Sequence, residues 1–460
     1  MCVDLRRTAL CLALLSLPTI SVGQSVSLAG VPPGDPGYAQ MPPISVATVP
    51  AGYSINGLTF DAVTGNLISG ASGTASITAN TNSQSPIGDD TRFALGDTLP
   101  NLPTIDGVNT LATFDGAFVA QGGPSAASDF RFTMIGNDPR RGATTLYPFN
   151  IAEVSLQLLN ADGTVNQIVP FAPFENKTLE SPNFEPLMYR SGNNIEYADA
   201  VHRAEFYNVM KQNWHTLLVP NVVNRVTITV PFFVNVQLSN GTIVQARSYF
   251  TGKAADGSTF VLLLSPLFNF FFDNEVVNEI NLGNFTTNSI NATLFPNTYL
   301  FSLNANNPNV PGGCCTLGFH TFFRGGGFPE PRWVTEYASW ISPGIFGGGF
   351  QDVTALSHET SEAVADPFVN NPTPSWQFPS EPATAKVCQA NLEVGDPIEV
   401  LANATTPIAV TELGFSFVYH PQNLALYEWF EMGATSNAID GAFSFPNETV
   451  LPHSAIPCPQ

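Results

Sequence analysis

Residues 154–163 read VSLQLLNADG, and their apolar and polar side chains alternate up to an Asp162-Gly163 pair. Alternation with a period of two indicates a half-buried β-strand, and Asp-Gly is a strong signal for a tight hairpin turn. The same alternation occurs in residues 130–134, which read FRFTM. We therefore predict antiparallel strands and a hairpin in this part of the chain.

Strand-like patterns continue towards the C-terminus, in residues 224–237, 242–250 and 258–264. Residues 194–211 break the pattern, because their apolar side chains recur on one face of a helix, and we predict a helix there. The apolar run 260–272 contains polar interruptions and is too short to span a membrane, so we interpret it as a buried strand pair. These patterns predict a sandwich or a curved antiparallel sheet.

The N-terminal residues have the order of a secretory signal peptide. Arg6 and Arg7 precede an apolar run from 9 to 17, and small residues follow up to Gly23. This run is shorter than the ~20 residues that a lasting membrane anchor needs. We predict cleavage near Gly23 or Gln24 and no membrane anchor. Export would follow the general route or, alternatively, the twin-arginine route. The expected location is secreted and extracellular, with the periplasm as the alternative.

The chain is acidic, with a formal net charge of -21 over 460 residues. Such a surface repels phosphate backbones, so nucleic acid is not expected as a partner. Charged residues make up 12% and apolar residues 44% of the chain, which is typical of a folded protein. Residues 24–125 differ from the rest, because they are rich in Gly, Pro, Ser and Thr and lack helical periodicity.

Four cysteines follow the predicted signal peptide, namely Cys314, Cys315, Cys388 and Cys458. Exported thiols oxidise, and four cysteines can form two disulfides in any of three connectivities. Because a disulfide between neighbouring residues would strain the peptide that joins them, we predict that each member of the adjacent pair bonds one of the other two. The pattern indicates a disulfide-braced C-terminal module.

The residues that indicate chemistry lie in the segment 352–366, which reads DVTALSHETSEAVAD and precedes Pro367. Proline pushes the residue before it out of helical dihedrals, so we predict a helix that ends here and has Asp352 as its N-cap. His358 and Glu362 are four residues apart. They therefore project from one helical face, at the spacing that two ligands of one ion need.

Glu359 follows His358, so the motif reads His-Glu-x-x-Glu. In zinc peptidases with a related helix, a carboxylate at this position deprotonates the metal-bound water. A carboxylate as second ligand is compatible with zinc, but it favours harder ions such as manganese, iron or calcium. Short motifs also arise by chance on surface helices, so the surrounding residues decide the meaning of this one.

The surrounding residues form an ordered series. Residues 314–320 read CCTLGFH, Asp366-Pro367 and Trp376 follow the helix, and residues 393–396 read EVGD. Over about residues 300–400 this series resembles the exordium, or phosphate-induced protein, family of secreted proteins. The chain is also similar to bacterial exported proteins of uncharacterised role.

The likeness to the bacterial proteins rests on YADAVHRAEF at residues 197–206 and LYEWF at residues 426–430. The chain departs from the exordium pattern at one place. Family members usually carry a cysteine soon after the last aspartate of the series, whereas Pro397 and Ile398 follow Asp396 here. The disulfide near this element is therefore expected to differ.

The resemblance implies a set of metal ligands in this chain, namely His358, Glu362, Glu393, Asp396 and His320. In that set, Glu393 or Asp396 would be the completing carboxylate and His320 a competing third ligand. Glu359 would be the catalytic base or a further ligand. Asp366 is expected to cap the helix end or to support a ligand without binding the ion itself. The expected cofactor is a divalent ion, with zinc first and calcium or manganese as alternatives.

The predicted fold class is α+β, mainly β, with an antiparallel sheet or sandwich region followed by a disulfide-braced C-terminal module that contains the HExxE helix. The predicted organisation is a signal peptide at 1–23, a Gly/Pro/Ser/Thr-rich region at 24–125, a mainly β region with one helix at 126–300, and a metal-binding module at 301–460.

Two functions are compatible with these patterns. The first is a secreted metal-dependent hydrolase of peptidase type, in which Glu359 activates a metal-bound water. Its partner would be an extracellular protein or peptide substrate, or a cell-wall component. The alternative is a non-catalytic extracellular binding or structural protein that holds a structural metal ion. The two differ in coordination, because a hydrolase keeps an open ligand position whereas a structural site is closed by protein side chains.

Overall fold

The computed structural model of the chain describes residues 59–61, 67–69, 97–98, 111–119, 129–188, 194–238, 240–304, 306–325, 331–346, 349–379, 388–399, 401–412, 415–432, 435 and 438–453. The predicted signal peptide and most of region 24–125 lie outside the described residues. The described part is α+β and mainly β, with several sheets, as the sequence predicts.

The strands are β1 Thr59–Asp61, β2 Leu67–Ser69, β3 Asp97–Thr98, β4 Thr113–Val119, β5 Asp129–Ile135, β6 Thr144–Leu159, β7 Val165–Val169, β8 Leu187–Met188, β9 Asn194–Ile195, β10 His215–Val230, β11 Phe233–Gln237, β12 Ile243–Arg247, β13 Tyr249–Lys253, β14 Thr259–Leu264, β15 Ile290–Pro296, β16 Thr298–Leu303, β17 Pro311–Thr316, β18 Gly318–Arg324, β19 Arg332–Trp340, β20 Pro372–Trp376, β21 Gln389–Asn391, β22 Ile408–Glu412, β23 Phe415–Tyr419, β24 Leu424–Ala425 and β25 Ser444–Phe445.

The α-helices are α1 Glu175–Leu179, α2 Tyr197–Glu205, α3 Ser265–Leu282, α4 Thr354–Ala365, α5 Asp396–Glu399 and α6 Tyr427–Phe430, and a 3₁₀ helix covers Ile439–Gly441. Within the part of the chain that the structure describes, no helix combines the length and the apolar composition that crossing a membrane requires.

The predicted hairpin is confirmed. Strands β6 and β7 pair antiparallel around the Asp162-Gly163 turn, in which Gly163 has a φ of 82° and Thr164 donates its hydroxyl to Asp162 at 2.6 Å. Along β6, Val154, Leu156 and Leu158 are buried, while the polar residues between them are partly exposed. The alternation in the sequence therefore indicates which face of this strand packs against the core.

The predicted antiparallel architecture is only partly correct, because the larger sheets are mixed. β10 pairs with β6 in parallel, and parallel pairs also join β14 to β16, β15 to β19, β1 to β11 and β18 to β3. The main strand orders are β10-β6-β7, β13-β14-β16-β17, β15-β19-β18-β3 and β12-β11-β1-β2. Alternation within a strand does not encode the direction of its partner, and long crossover connections allow parallel pairing here.

The helix predicted within 194–211 is confirmed as α2, which is shorter than the predicted segment. The prediction of a single helix before residue 300 is wrong, since α1 and α3 also lie there. Only the first part of the run 260–272 is a strand. The rest opens α3, which carries Pro266 in its first turn and ends at Gly283 in the left-handed conformation.

Helix α3 covers one face of the sheet formed by β15, β19, β18 and β3. The ring centroids of Phe268 and of Tyr337 in β19 are 4.1 Å apart, and those of Phe272 and of Phe319 in β18 are 5.0 Å apart. Successive side chains of a strand point to opposite faces. Phe319 therefore faces α3, while its neighbour His320 faces the other side of the sheet, against which α4 packs.

The predicted cysteine pairing is wrong. Cys314 and Cys315, in β17, are bonded to each other, and the peptide between them is cis. The prediction rested on the strain that a bond between neighbouring cysteines places on the peptide that joins them, and the two cysteines are bonded nevertheless. Cys388 is disulfide-bonded, and Cys458 lies outside the described residues. A brace from the adjacent pair to the rest of the C-terminal module is therefore not confirmed.

Candidate metal centre

The start of α4 differs from the prediction, because Asp352 is not its N-cap. Asp352 has a φ of 47°, and Val353 occupies the cap position. The carboxylate of Asp352 accepts the backbone N–H groups of Val353 at 2.7 Å and of His420 at 2.8 Å, and it lies 2.7 Å from Nδ1 of His420. Asp352 thus fastens the segment before the helix to the residue that follows β23.

The end of α4 agrees with the prediction for Asp366. The carboxylate of Asp366 accepts the backbone N–H groups of Asn370 at 3.0 Å and Asn371 at 2.9 Å, so it closes the turn after the helix. Burial raises the pKa of Asp366 to about 6. Its backbone carbonyl lies 3.1 Å from Nε2 of His320, which connects the helix end to β18.

Helix α4 is buried along its whole length, and not on one stripe alone. Strands β18 and β19 and helix α2 pack against it. Thr360 of α4 donates its hydroxyl to Glu336 of β19 at 3.3 Å. The polar face of the helix, which a surface helix would expose to water, therefore lies inside the protein, where ionisable side chains need compensating partners.

On this buried face, His358 and Glu362 are in contact, as their spacing predicts. Nε2 of His358 lies 3.0 Å from Oε2 of Glu362 and 3.7 Å from Oδ1 of Asp396. The other oxygen of Glu362, Oε1, accepts the backbone N–H of Gly395 at 2.8 Å. The segment 393–396 is thereby held directly against the helix.

His320 enters the same cluster from β18. Its Nδ1 lies 3.5 Å from Oε2 of Glu359 and 3.6 Å from Oε2 of Glu362, and its Nε2 lies 3.9 Å from Oε2 of Glu393. Nε2 also faces the carbonyl of Asp366, to which an N–H group at that atom would donate. In that tautomer Nδ1 carries the lone pair, and it points towards the carboxylates.

The structure therefore brings together six side chains that the sequence predicted as site residues: His320, His358, Glu359, Glu362, Glu393 and Asp396. Two groups of them could hold a metal ion, His320 with Glu362 and Glu393, and His358 with Glu359 and Glu362. Within each group the candidate ligand atoms lie within 4.8 Å of one another. Two atoms bonded at about 2.1 Å to one tetrahedral ion lie about 3.4 Å apart, which is close to the separations found here.

The electrostatics of the cluster favour an ionised Glu362. Burial acts to raise the pKa of this carboxyl group, but the neighbouring His358 and His320 outweigh it and lower the pKa to about 2. For His358, burial acts to lower the pKa, and Glu362 and Asp396 outweigh it and raise the pKa. A buried carboxylate beside two imidazoles is a donor set that suits a divalent cation.

Several supporting residues were not singled out from the sequence. Gln389 and Asn391, in β21, donate side-chain amide N–H groups to Asp396 and Glu393 respectively. Trp376, which belongs to the ordered series, donates its indole N–H to the carbonyl of Asn391 at 3.0 Å. No periodicity marks such amides, because they act through hydrogen bonds to ligands that are distant in sequence.

Gly395 is the other residue whose role the sequence left open. A Cβ atom at this position would fall 2.6 Å from Cγ of His358, closer than carbon atoms approach one another. Gln422 links Gly395 to α4. Its side-chain amide donates to the carbonyl of Gly395 at 2.7 Å, and its backbone N–H donates to the hydroxyl of Ser357 in α4 at 2.8 Å. The signal in the sequence was the position of Gly395 within the EVGD element at residues 393–396.

The other four described histidines have partners outside the cluster, and His420 is the one that contacts Asp352. Nδ1 of His215 lies 2.7 Å from Oδ2 of Asp199, and Nδ1 of His202 lies 2.6 Å from the carbonyl of Ala198. The ring of His453 stacks on that of Trp429.

No family model, no curated protein and no solved structure matches the chain.

Proposed function

We propose that the protein is an exported metal-binding protein whose divalent ion is enclosed by the cluster on α4, β18 and segment 393–396. The observation that carries this proposal is burial. None of the six candidate ligand residues exposes more than 5% of its surface. Metal sites closed by protein side chains are typical of structural ions, whereas catalytic sites keep a position open to water.

In this proposal the ion joins three parts of the chain that are distant in sequence. His320 belongs to β18, His358 and Glu362 to α4, and Asp396 begins α5. Four carboxylates without a cation would repel one another in a medium of low dielectric constant. An ion reduces that repulsion, so its binding free energy would add to the stability of the folded state.

The donor set supports zinc, with manganese as the alternative, over calcium. Calcium takes oxygen ligands almost exclusively, whereas two of the six candidates here, His320 and His358, supply imidazole nitrogen. Imidazole and carboxylate together suit zinc, iron and manganese. The proposal that the protein is exported is based on the predicted signal peptide. The resemblance to the exordium family, whose members are secreted, agrees with it.

A metal-dependent hydrolase of peptidase type remains the second candidate, and the position of Glu359 favours it. The carboxylate of Glu359 lies beside the proposed ligands, 3.5 Å from Nδ1 of His320. There it could accept a proton from a water on the ion. This reaction requires an opening of the cluster that admits water and an extracellular peptide, protein or cell-wall substrate.

One set of variants separates the two candidates. Metal content by mass spectrometry, thermal unfolding and cleavage of a peptide library are measured for the wild type, Glu359→Gln and His358→Ala. We expect bound metal, a melting temperature that falls on chelation, no cleavage, and loss of metal in His358→Ala. His215→Ala is the matched control, because His215 lies outside the cluster, and it should keep its metal.

The outcome for Glu359→Gln decides between structure and catalysis. If the wild type cleaves peptides and this variant loses turnover by a factor of about 10² to 10⁴ while it keeps its metal, the hydrolase is supported. If the variant loses metal as completely as His358→Ala, Glu359 is a ligand of a structural site. A wild type that binds no divalent ion under any condition refutes both candidates.

A further inference from the structure

We propose that the cluster holds two divalent ions, which share one carboxylate oxygen of Glu362. The inference rests on the proposed function only in requiring that the cluster binds metal. Its starting point is that the candidate ligands form two groups, each with its own histidine. His358 belongs to one group and His320 to the other, and Glu362 is the residue that both groups contain.

The geometry of Glu362 fits a bridge between two ions. Its Oε2 atom lies 3.0 Å from Nε2 of His358 and 3.6 Å from Nδ1 of His320, so both imidazoles approach the same oxygen. Its Oε1 atom is held by the backbone N–H of Gly395 at 2.8 Å. This hydrogen bond fixes the carboxylate so that Oε2 stays between the two rings.

Each half of the cluster has further carboxylate oxygens for its own ion. Glu359 completes the group of His358, and Glu393 completes the group of His320. Asp396 adds an oxygen 3.7 Å from Nε2 of His358. In two-metal sites the ions lie about 3.5 to 4 Å apart, and carboxylates placed between and beside them are their usual ligands.

The formal charge of the ligands agrees with two ions. The cluster contains four carboxylates, those of Glu359, Glu362, Glu393 and Asp396, and all are buried. One divalent ion offsets two of these negative charges, and two divalent ions offset all four, with both imidazoles neutral as metal ligands. Uncompensated charge is costly in a protein interior, so the second ion stabilises the ligand set as a whole.

The test counts the ions and asks whether they are neighbours. The full mature chain is loaded with Mn²⁺, freed of excess ion, and analysed by mass spectrometry and electron paramagnetic resonance. We expect about two ions per chain and the spectrum of an exchange-coupled pair, as for ions about 3.5 to 4 Å apart. One ion per chain with an isolated Mn²⁺ spectrum overturns this inference and leaves the proposed function standing. No bound ion overturns both.

One variant tests whether each histidine binds its own ion. His320→Ala should keep one ion and lose the exchange coupling, while the control His215→Ala should keep both ions and the coupled spectrum. A folded His320→Ala protein that retains both ions, or that loses both, overturns the assignment of one histidine to each ion. If His320→Ala does not fold, the wild-type count and spectrum still decide whether the centre has two ions.

Discussion

Replacing Gly395 by alanine should damage the metal centre without removing any ligand. The new Cβ atom would fall 2.6 Å from Cγ of His358. Carbon atoms that are not bonded to each other rest about 3.5 to 4.0 Å apart, so the imidazole or the backbone of segment 393–396 must move by roughly 1 Å. The same movement would weaken the 2.8 Å hydrogen bond from Gly395 to Glu362.

A displacement of this size is large for a metal site, where ligand distances hold to within about 0.2 Å. Loss of a residue that orients a ligand typically lowers metal affinity by about 10- to 100-fold, and this is the loss that we expect for Gly395→Ala. The free energy of unfolding should fall by about 1 to 3 kcal/mol, as for other overpacked interiors.

The assay is competitive titration of metal against a chelator, combined with chemical unfolding. Gly283→Ala is the control. Gly283 has a φ of 76°, and a Cβ atom there meets nothing within 4 Å, so this variant should lose about 1 kcal/mol of stability through backbone strain alone. It should keep the wild-type metal affinity. A Gly395→Ala protein with wild-type metal affinity would refute the role that we give to the close approach of Gly395 and His358.

Burial lowers the pKa of His202 to about 4, so the unfolded chain takes up a proton near pH 6.5 before the folded chain does. The free energy of unfolding should therefore fall by up to about 3 kcal/mol between pH 6.5 and 4, and urea titrations should show a smaller fall in His202→Gln. Phe268→Ala should cost about 3 to 5 kcal/mol, whereas Leu146→Ala, at a side chain that is 58% exposed, should lie within about 0.5 kcal/mol of the wild type. Peptide mapping without reduction should find Cys314 and Cys315 bonded within one peptide, and a cross-link from either to another segment would contradict the structure.

Local patterns in the sequence predicted those features that depend on neighbouring residues. The β6–β7 hairpin follows from alternation and an Asp-Gly turn, and the end of α4 follows from the proline behind it. The spacing of His358 and Glu362 predicted their contact. The ordered series around the helix, and not that spacing, brought His320 and segment 393–396 into the predicted ligand set.

Features that depend on distant residues could not be predicted in this way. Half of the residues of helix α3 are buried, and its apolar Phe270 and Phe271 lie outside that buried set. A continuous apolar run therefore does not distinguish a strand from a helix. The choice between parallel and antiparallel partners is made between segments far apart in the chain. The approach of Gly395 to His358 likewise exists only in the folded protein.

The parallel pairing of β6 and β10 has a consequence for how the chain reaches its fold. His215 pairs with Thr144, and the register continues to Val230 against Leu158, so partners lie about seventy residues apart. Such contacts form slowly, because a long loop must close before any of them is made. Until β10 arrives, one edge of the largely apolar β6 is unpaired and open to other chains. The yield of refolding should therefore fall as protein concentration rises. A chain that is released for folding only after residue 230 is available would pair β6 with β10 before it meets other chains.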